Sequence, residues 1–241
     1  MNAIDELINL KNEEQAGHLM QFFKTGKGQY GEGDLFLGIK VPKTREIVKK
    51  HYRNVSFAEL QTMLNNPYHE IRLCALLMMV SIYEKSDNKN LKNQILKLYL
   101  RNVNNINNWD LVDLTAPKIV GADYIESKNP EIIMTLANSG HLWSERIAVV
   151  SQWSVIKSGD FSIILELSEK FLTHKHDLMH KAVGWMLREA GKKDEKILHE
   201  FLKKHHRKMP RTMLRYSIEK LTKEQRHFYM YPDKKNPSKD F

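Results

Sequence analysis

The sequence is poor in cysteine. Cys74 is the only one in 241 residues, which excludes an internal disulfide and fits a reducing, cytoplasmic setting. It stands in the apolar run "IRLCALLMMV", where a thiol serves as a small buried hydrophobe. Long apolar runs are missing too: nothing approaches the ~18 apolar residues in a row that a membrane span needs. The N-terminus, "MNAIDELINLKNEEQ", lacks the basic start and apolar stretch of a signal peptide and reads as an amphipathic helix. Strand-like alternation of apolar and polar residues is essentially absent, which leaves an all-α chain. What is present, 41% hydrophobic and 28% charged residues, suits a globular protein with a sizeable core.

Helical spacing covers 2–24, 42–53, 56–65, 68–85, 88–101, 107–118, 121–126, 130–138, 142–157, 159–172, 176–190, 193–205, 209–219 and 222–228. Turn signals such as "NNPYHE", "KSDNKN", "NSGH" and "AGKKD" separate these segments. Arg72, Trp109, Arg146 and Lys181 recur at intervals of 35–37 residues, the period of two-helix solenoid repeats. Repeats of this kind bury their apolar faces on one another and line a common concave surface with their second helices. One domain over 1–230 is expected, followed by a polar tail, 231–241.

Charge is unevenly placed. Residues 1–180 balance at 21 Lys and Arg against 21 Asp and Glu; residues 181–241 hold 17 against 8, the whole formal excess of +9. A basic C-terminal third suggests a polyanionic partner, although a lysine-rich solvated face reads the same way.

Among candidate chemical features, the Gly-rich "KTGKGQYGEGD" (24–34) has neither the P-loop nor the dinucleotide spacing. It reads as a tightly turned or flexible loop whose lysines and Tyr30 can meet a phosphate backbone. His174, His176 and His180 have helical spacing but no matching carboxylate or cysteine set, so capping or exposed histidines are expected and no metal. The tryptophans carry more. Trp109 with Asp113, Trp143 with Arg146, and Trp185 with Arg188 each pair an indole with a charge at helical spacing. Singly, each indole is more often core than site; together they describe a basic groove with aromatic faces, guanidinium groups and one carboxylate. Indole faces attract cations and arginine holds phosphates. A carboxylate on a surface that binds a polyanion calls for a chemical reason. Asp113 shares the face of Trp109; Asp110 is read as structural, bracing the helix or neighbouring arginines.

Four segments in order, "FLGIKVPKTREIVKK" (36–50), "NWDLVDLTAPKIVG" (108–121), "LWSERIAVV" (142–150) and "HKAVGWMLREAG" (180–191), resemble the AlkD-type DNA alkylation repair glycosylases, over roughly 15–225. The resemblance implies a HEAT-like helical-repeat solenoid with a concave basic groove. It further implies base excision of cationic alkylated purines (3-methyladenine, 7-methylguanine) from double-stranded DNA by a monomer without cofactor. On that resemblance Asp113 is the catalytic carboxylate, Trp109 and Trp185 flank the deoxyribose, and Arg146 clamps a phosphate. Arg188, Trp143, Lys181 and Arg211 complete the expected DNA-binding set. The Gly-rich segment sits where some members have a shorter connection, which leaves open how the N-terminal helices meet DNA. Two alternatives stand beside the enzyme: a catalytically silent relative that binds bent or branched DNA, and a scaffold for another protein.

Overall fold

The computed structural model describes residues 2–231; the expected tail lies outside them except for Tyr231. The fold is all-α, a helical-repeat architecture. In order the helices are α1 (Ala3–Asn9), α2 (Glu13–Phe22), α3 (Val41–His51), α4 (Phe57–Leu64), α5 (His69–Lys85), α6 (Lys89–Arg101), α7 (Trp109–Asp113) and α8 (Ala116–Ser127). They continue with α9 (Glu131–Ala137), α10 (Leu142–Lys157), α11 (Ser162–Lys170), α12 (Asp177–Lys193), α13 (Glu195–His205), α14 (Arg211–Ser217) and α15 (Lys223–Met230). A single parallel bridge, Leu35 to Tyr68, is the strand-like pairing among the described residues. None of the described helices is long and apolar enough to cross a membrane.

The chain gathers into two compact units, Met1–Ile119 and Val120–Phe241. In the first, α5 is the central helix, with α3, α4 and α6 packed on it; it is buried on nearly every face, Ile71 to Val80 without a break. A helix that is apolar all round belongs inside, which is why its sequence shows little amphipathic pattern. Cys74 lies at its centre, fully buried, and burial pushes its thiol pKa up to about 12. In the second unit α10 plays the same role between α9, α11 and α12, and α12 packs in turn against α13 and α14.

Local chemistry sets the helix starts. Asn2, Asn12 and Asn88 each accept a hydrogen bond from a backbone N–H in the first turn. Ser56 with Glu59 and Thr222 with Gln225 form reciprocal capping boxes. Two expectations needed correction. The pattern over 2–24 predicts one helix, but the chain breaks at Leu10–Asn12. There the Asn12 N–H donates to the Leu37 carbonyl at 2.8 Å, and Gly38 presses so close that a Cβ on it would lie 2.1 Å from the Asn12 oxygen. The segment 107–118 ends early as well: α7 stops at Asp113 and α8 begins at Ala116. Pro117 has no N–H for the Asp113 carbonyl four residues back, so the helix cannot run through it.

Two glycines separate packing from propensity. A Cβ on Gly184 of α12 would lie 2.5 Å from the Met213 carbonyl of α14, whereas one on Gly17 of α2 meets nothing within 4 Å. Gly184→Ala should therefore destabilise the protein by about 1–3 kcal/mol. Gly17→Ala should stabilise it by roughly 0.5–1 kcal/mol. Urea denaturation of the two variants reads both signs.

Candidate functional site

α7 is a single turn, and its five residues divide cleanly. Asp110, Leu111 and Val112 are buried, while Trp109 and Asp113 are half-buried on the opposite side. One helical turn separates the last two, so they share a face. Beneath them Thr115 donates to the Leu111 carbonyl at 2.5 Å and meets the buried Tyr99 hydroxyl at 2.9 Å. Burial drives the Tyr99 phenol pKa upward, and the Asp113 carboxylate adds to that push.

The Trp109 indole stacks on Phe23 with centroids 5.3 Å apart and meets Phe22 edge-on at 5.9 Å. Phe23 stacks in turn on Phe36 at 5.1 Å, and Phe36 on the His69 ring at 4.5 Å. Phe22 is 62% exposed. The end of α2 thus backs Trp109 with a rigid aromatic layer and continues it outward as an apolar surface.

Below lies a buried charge network. His69, the first residue of α5, places Nε2 at 2.8 Å from Asp110 and Nδ1 at 3.3 Å from Asp34. Asp34 also accepts from Arg72 at 2.7 Å and from Asn107 at 2.9 Å. Arg72 spends its remaining donors on Asn107 and the carbonyls of Asn66, Pro67 and Asn105. Burial alone would lower the His69 pKa, but Asp110 and Asp34 outweigh it and lift it to about 9. Burial alone would raise that of Asp34, yet His69, Arg72 and Asn107 hold it below the usual carboxylate value. Asp110 does brace its helix, the first of the two expected roles, accepting from the Leu111 N–H at 2.9 Å, and its long-range partner is His69.

The Gly-rich segment is tightly turned and anchored. Lys24, Gly28 and Gly33 have positive φ, and Gln29 and Glu32 accept the N–H groups of Gly26 and Gly28 at 3.0 and 2.7 Å. Gly31 is pressed against the chain: a Cβ would lie 2.6 Å from the Phe23 carbonyl and 3.3 Å from Nδ2 of Asn108, the residue that caps α7. Asp34 closes the segment in the buried network. The following "FLGI" is held by Glu70, whose carboxylate accepts from the Leu37, Gly38 and Ile39 N–H groups at 2.8–3.0 Å.

In the second unit Trp143 and Arg146 lie on α10 and are buried at 5% and 4% exposure. Arg146 donates to the Leu178 carbonyl of α12 at 2.6 Å. Trp185 and Arg188 are half-buried on α12, where Arg188 is gripped by Glu189 and Glu219. Lys181 pairs with Asp177 at 2.8 Å. Arg211, exposed at the start of α14, donates to the Met230 carbonyl at 2.8 Å and lies over the Tyr231 ring. The three histidines build a helix start: His176 caps α12, His174 binds Glu145 at 3.0 Å, and His180 turns back to the His174 carbonyl. No group of metal-ligand type is assembled among the described residues.

An all-α repeat fold that presents an indole and a carboxylate from the half-buried face of a single turn defines a helical-repeat protein with a chemically equipped surface. The family model for DNA alkylation repair enzymes matches residues 3–221, and the chain belongs to that family, which gives it a role in DNA repair. Among solved structures, one described as a predicted DNA alkylation repair enzyme from Enterococcus faecalis shares the fold. Its TM-score is 0.70 at 18% identity, over 88% of this chain and 97% of that one. No curated protein matches.

The network makes stability depend on pH. His69 is lifted from an ordinary 6.5 to about 9, so its contribution is complete below about pH 6.5 and is lost as pH rises through 9. That amounts to on the order of 3 kcal/mol. Asp34 acts in the opposite sense, contributing above its unfolded pKa and losing that contribution in acid. Urea denaturation at stepped pH should show the alkaline decline in the wild type and a flattened one in His69→Gln; equal slopes would remove His69 as its source.

Proposed function

We propose that the chain is a monofunctional DNA glycosylase that hydrolyses the N-glycosidic bond of cationic alkylated purines, such as 3-methyladenine and 7-methylguanine, in duplex DNA. What carries the reading is Asp113 on the half-exposed face of Trp109, in a chain of the DNA alkylation repair family. A carboxylate there would repel the phosphates of an approaching duplex, so its presence favours a task that needs negative charge.

The chemistry supplies that task. An alkylated purine already bears positive charge and leaves with the electron pair of its bond to the sugar, without prior protonation. Cationic character then develops on the deoxyribose, as in glycoside hydrolysis. Asp113 stabilises that cation and orients the attacking water, whose proton it accepts as the new C–O bond forms. The products are free base and an abasic sugar, and the step as written draws on no metal or organic cofactor.

Trp109 faces the same developing charge. Its cation–π attraction is worth about 0.5–2 kcal/mol, so the carboxylate dominates. Trp185 is assigned to the sugar's other flank by its place in the motif. Arg188, Lys181 and Arg211 are assigned to DNA contacts in the same way, as are Arg146 and Trp143 by their motif, although at 4% and 5% exposure those two have little surface to offer DNA. The carboxylate partner of Lys181 does not oppose this: an exposed ion pair such as Lys181–Asp177 is worth about 0–1 kcal/mol, little enough for a phosphate to displace it, whereas Arg188 is held more firmly in a half-buried pair with Glu189.

Single-turnover release of methylated base from duplex DNA tests the proposal. Asp113→Asn should slow release by roughly 10²–10⁴-fold while DNA affinity is retained or rises, since a negative charge has been removed from the surface. Equal release from both proteins would take Asp113 out of the mechanism. No release from either would leave a DNA-binding protein without glycosylase activity, with affinity that falls steeply as salt rises.

A further inference from the structure

α7 carries both residues assigned to the chemistry in its own unit, yet it is five residues long. A helix of that length does not hold itself in water, so its place must be imposed by its surroundings. The caps supplied by Asn108 and by Asp110 Oδ1 are local, to the N–H groups of Trp109 and Leu111. The other oxygen of Asp110 reaches a different helix, meeting His69 at 2.8 Å. His69 is itself immobilised, with its ring against Phe36 and Phe23 at 4.5 and 5.1 Å and its second nitrogen on Asp34. Two carboxylates on the two ring nitrogens require both nitrogens to donate, which only the imidazolium does.

We propose that His69 is a positioning residue for the reaction at Asp113. Through Asp110 it fixes α7, and through Asp34 it fixes the end of the Gly-rich segment, so that helix and loop are set as one piece. The catalytic part of this inference rests on the glycosylase reading; the positional part does not. The charged groups that face His69 are Asp110 from α7, Asp34 from the loop and Arg72 one turn along α5. Phe23 of α2 and Phe36 present uncharged rings. When the imidazolium loses its proton, one of its two carboxylates loses its hydrogen bond, and Arg72, already engaged with Asp34, cannot hold Asp110 in its stead. The loosened partner is then α7 or the loop.

The test compares wild type, His69→Gln and Asp110→Asn by two readouts. Hydrogen exchange of the amides in 105–113 should accelerate about tenfold or more in both variants, with α12 unchanged. Single-turnover base release should fall roughly 10²-fold, the cost of misplacing a reacting group by about an ångström, while duplex affinity stays within about twofold. Wild-type release should also decline as pH rises past the His69 titration near 9, and His69→Gln should lack that limb; a residue that only supports the fold would lower the melting temperature without moving it. If His69→Gln does not fold, Asp110→Asn, which keeps the side chain's shape, carries the same comparison. Folded variants with wild-type exchange and release would overturn the proposal. Should the wild type release no base at all, the glycosylase reading falls while the exchange data still decide whether His69 holds α7.

Discussion

The first unit depends on one buried imidazolium between two carboxylates. Burying charge costs several kcal/mol per ion unless partners are in place, and each charge here has them. His69 has Asp34 and Asp110; Asp34 has Arg72 and Asn107 as well. Compared with an apolar core of the same volume such an arrangement adds little stability, yet it is a strong constraint on geometry, because no member can leave without exposing another. It joins three pieces of chain distant in sequence: the Gly-rich loop, the start of α5, and the Asn105–Asn107 turn with the α7 it leads into. The aromatic layer from His69 through Phe36 and Phe23 to Trp109 lies over the same point. Polar and apolar contacts therefore agree on where α7 sits.

Much of the architecture was legible in the sequence. Helical periodicity located nearly every element, since a period of 3.6 depends on local burial and needs no knowledge of partners. Two boundaries failed where a partner decided the matter: the 2–24 helix is split by the loop at Leu37–Gly38, and the 107–118 helix by Pro117, whose cost the apolar pattern conceals. In the candidate site, the shared face of Trp109 and Asp113 followed from a spacing of four. Asp34 and His69 did not stand out, because each looks ordinary in its own segment and only a separation of 35 residues closed by folding makes them a pair. A histidine opening an otherwise apolar helix, "HEIRLCALLMM", was the available signal.

The second unit shows why net charge and available charge differ. The basic excess of the last third is real, but Lys181, Arg188 and Lys192 are matched to Asp177, Glu189 and Glu219. Exposed cations also gather at the end of α13, where Lys203, Lys204 and Lys208 follow one another around a turn. Cations at a helix C-terminus are favoured by its dipole, so fold and partner preference pull the same way there. The charge count along the sequence registers the sum of these effects and cannot divide them.

The Gly-rich segment limits how far this chain can be altered. Connections between helices are ordinarily the easiest parts of a repeat protein to lengthen, shorten or exchange. This one is not exchangeable, because Gly31 fits against the Phe23 carbonyl without room for a side chain and Asp34 supplies a charge to the interior. Removing the loop would strand His69 and Arg72 with one carboxylate between them. A chain of this fold with a shorter connection would need other buried partners for His69 and Arg72. In this chain, loop length and interior composition are one constraint.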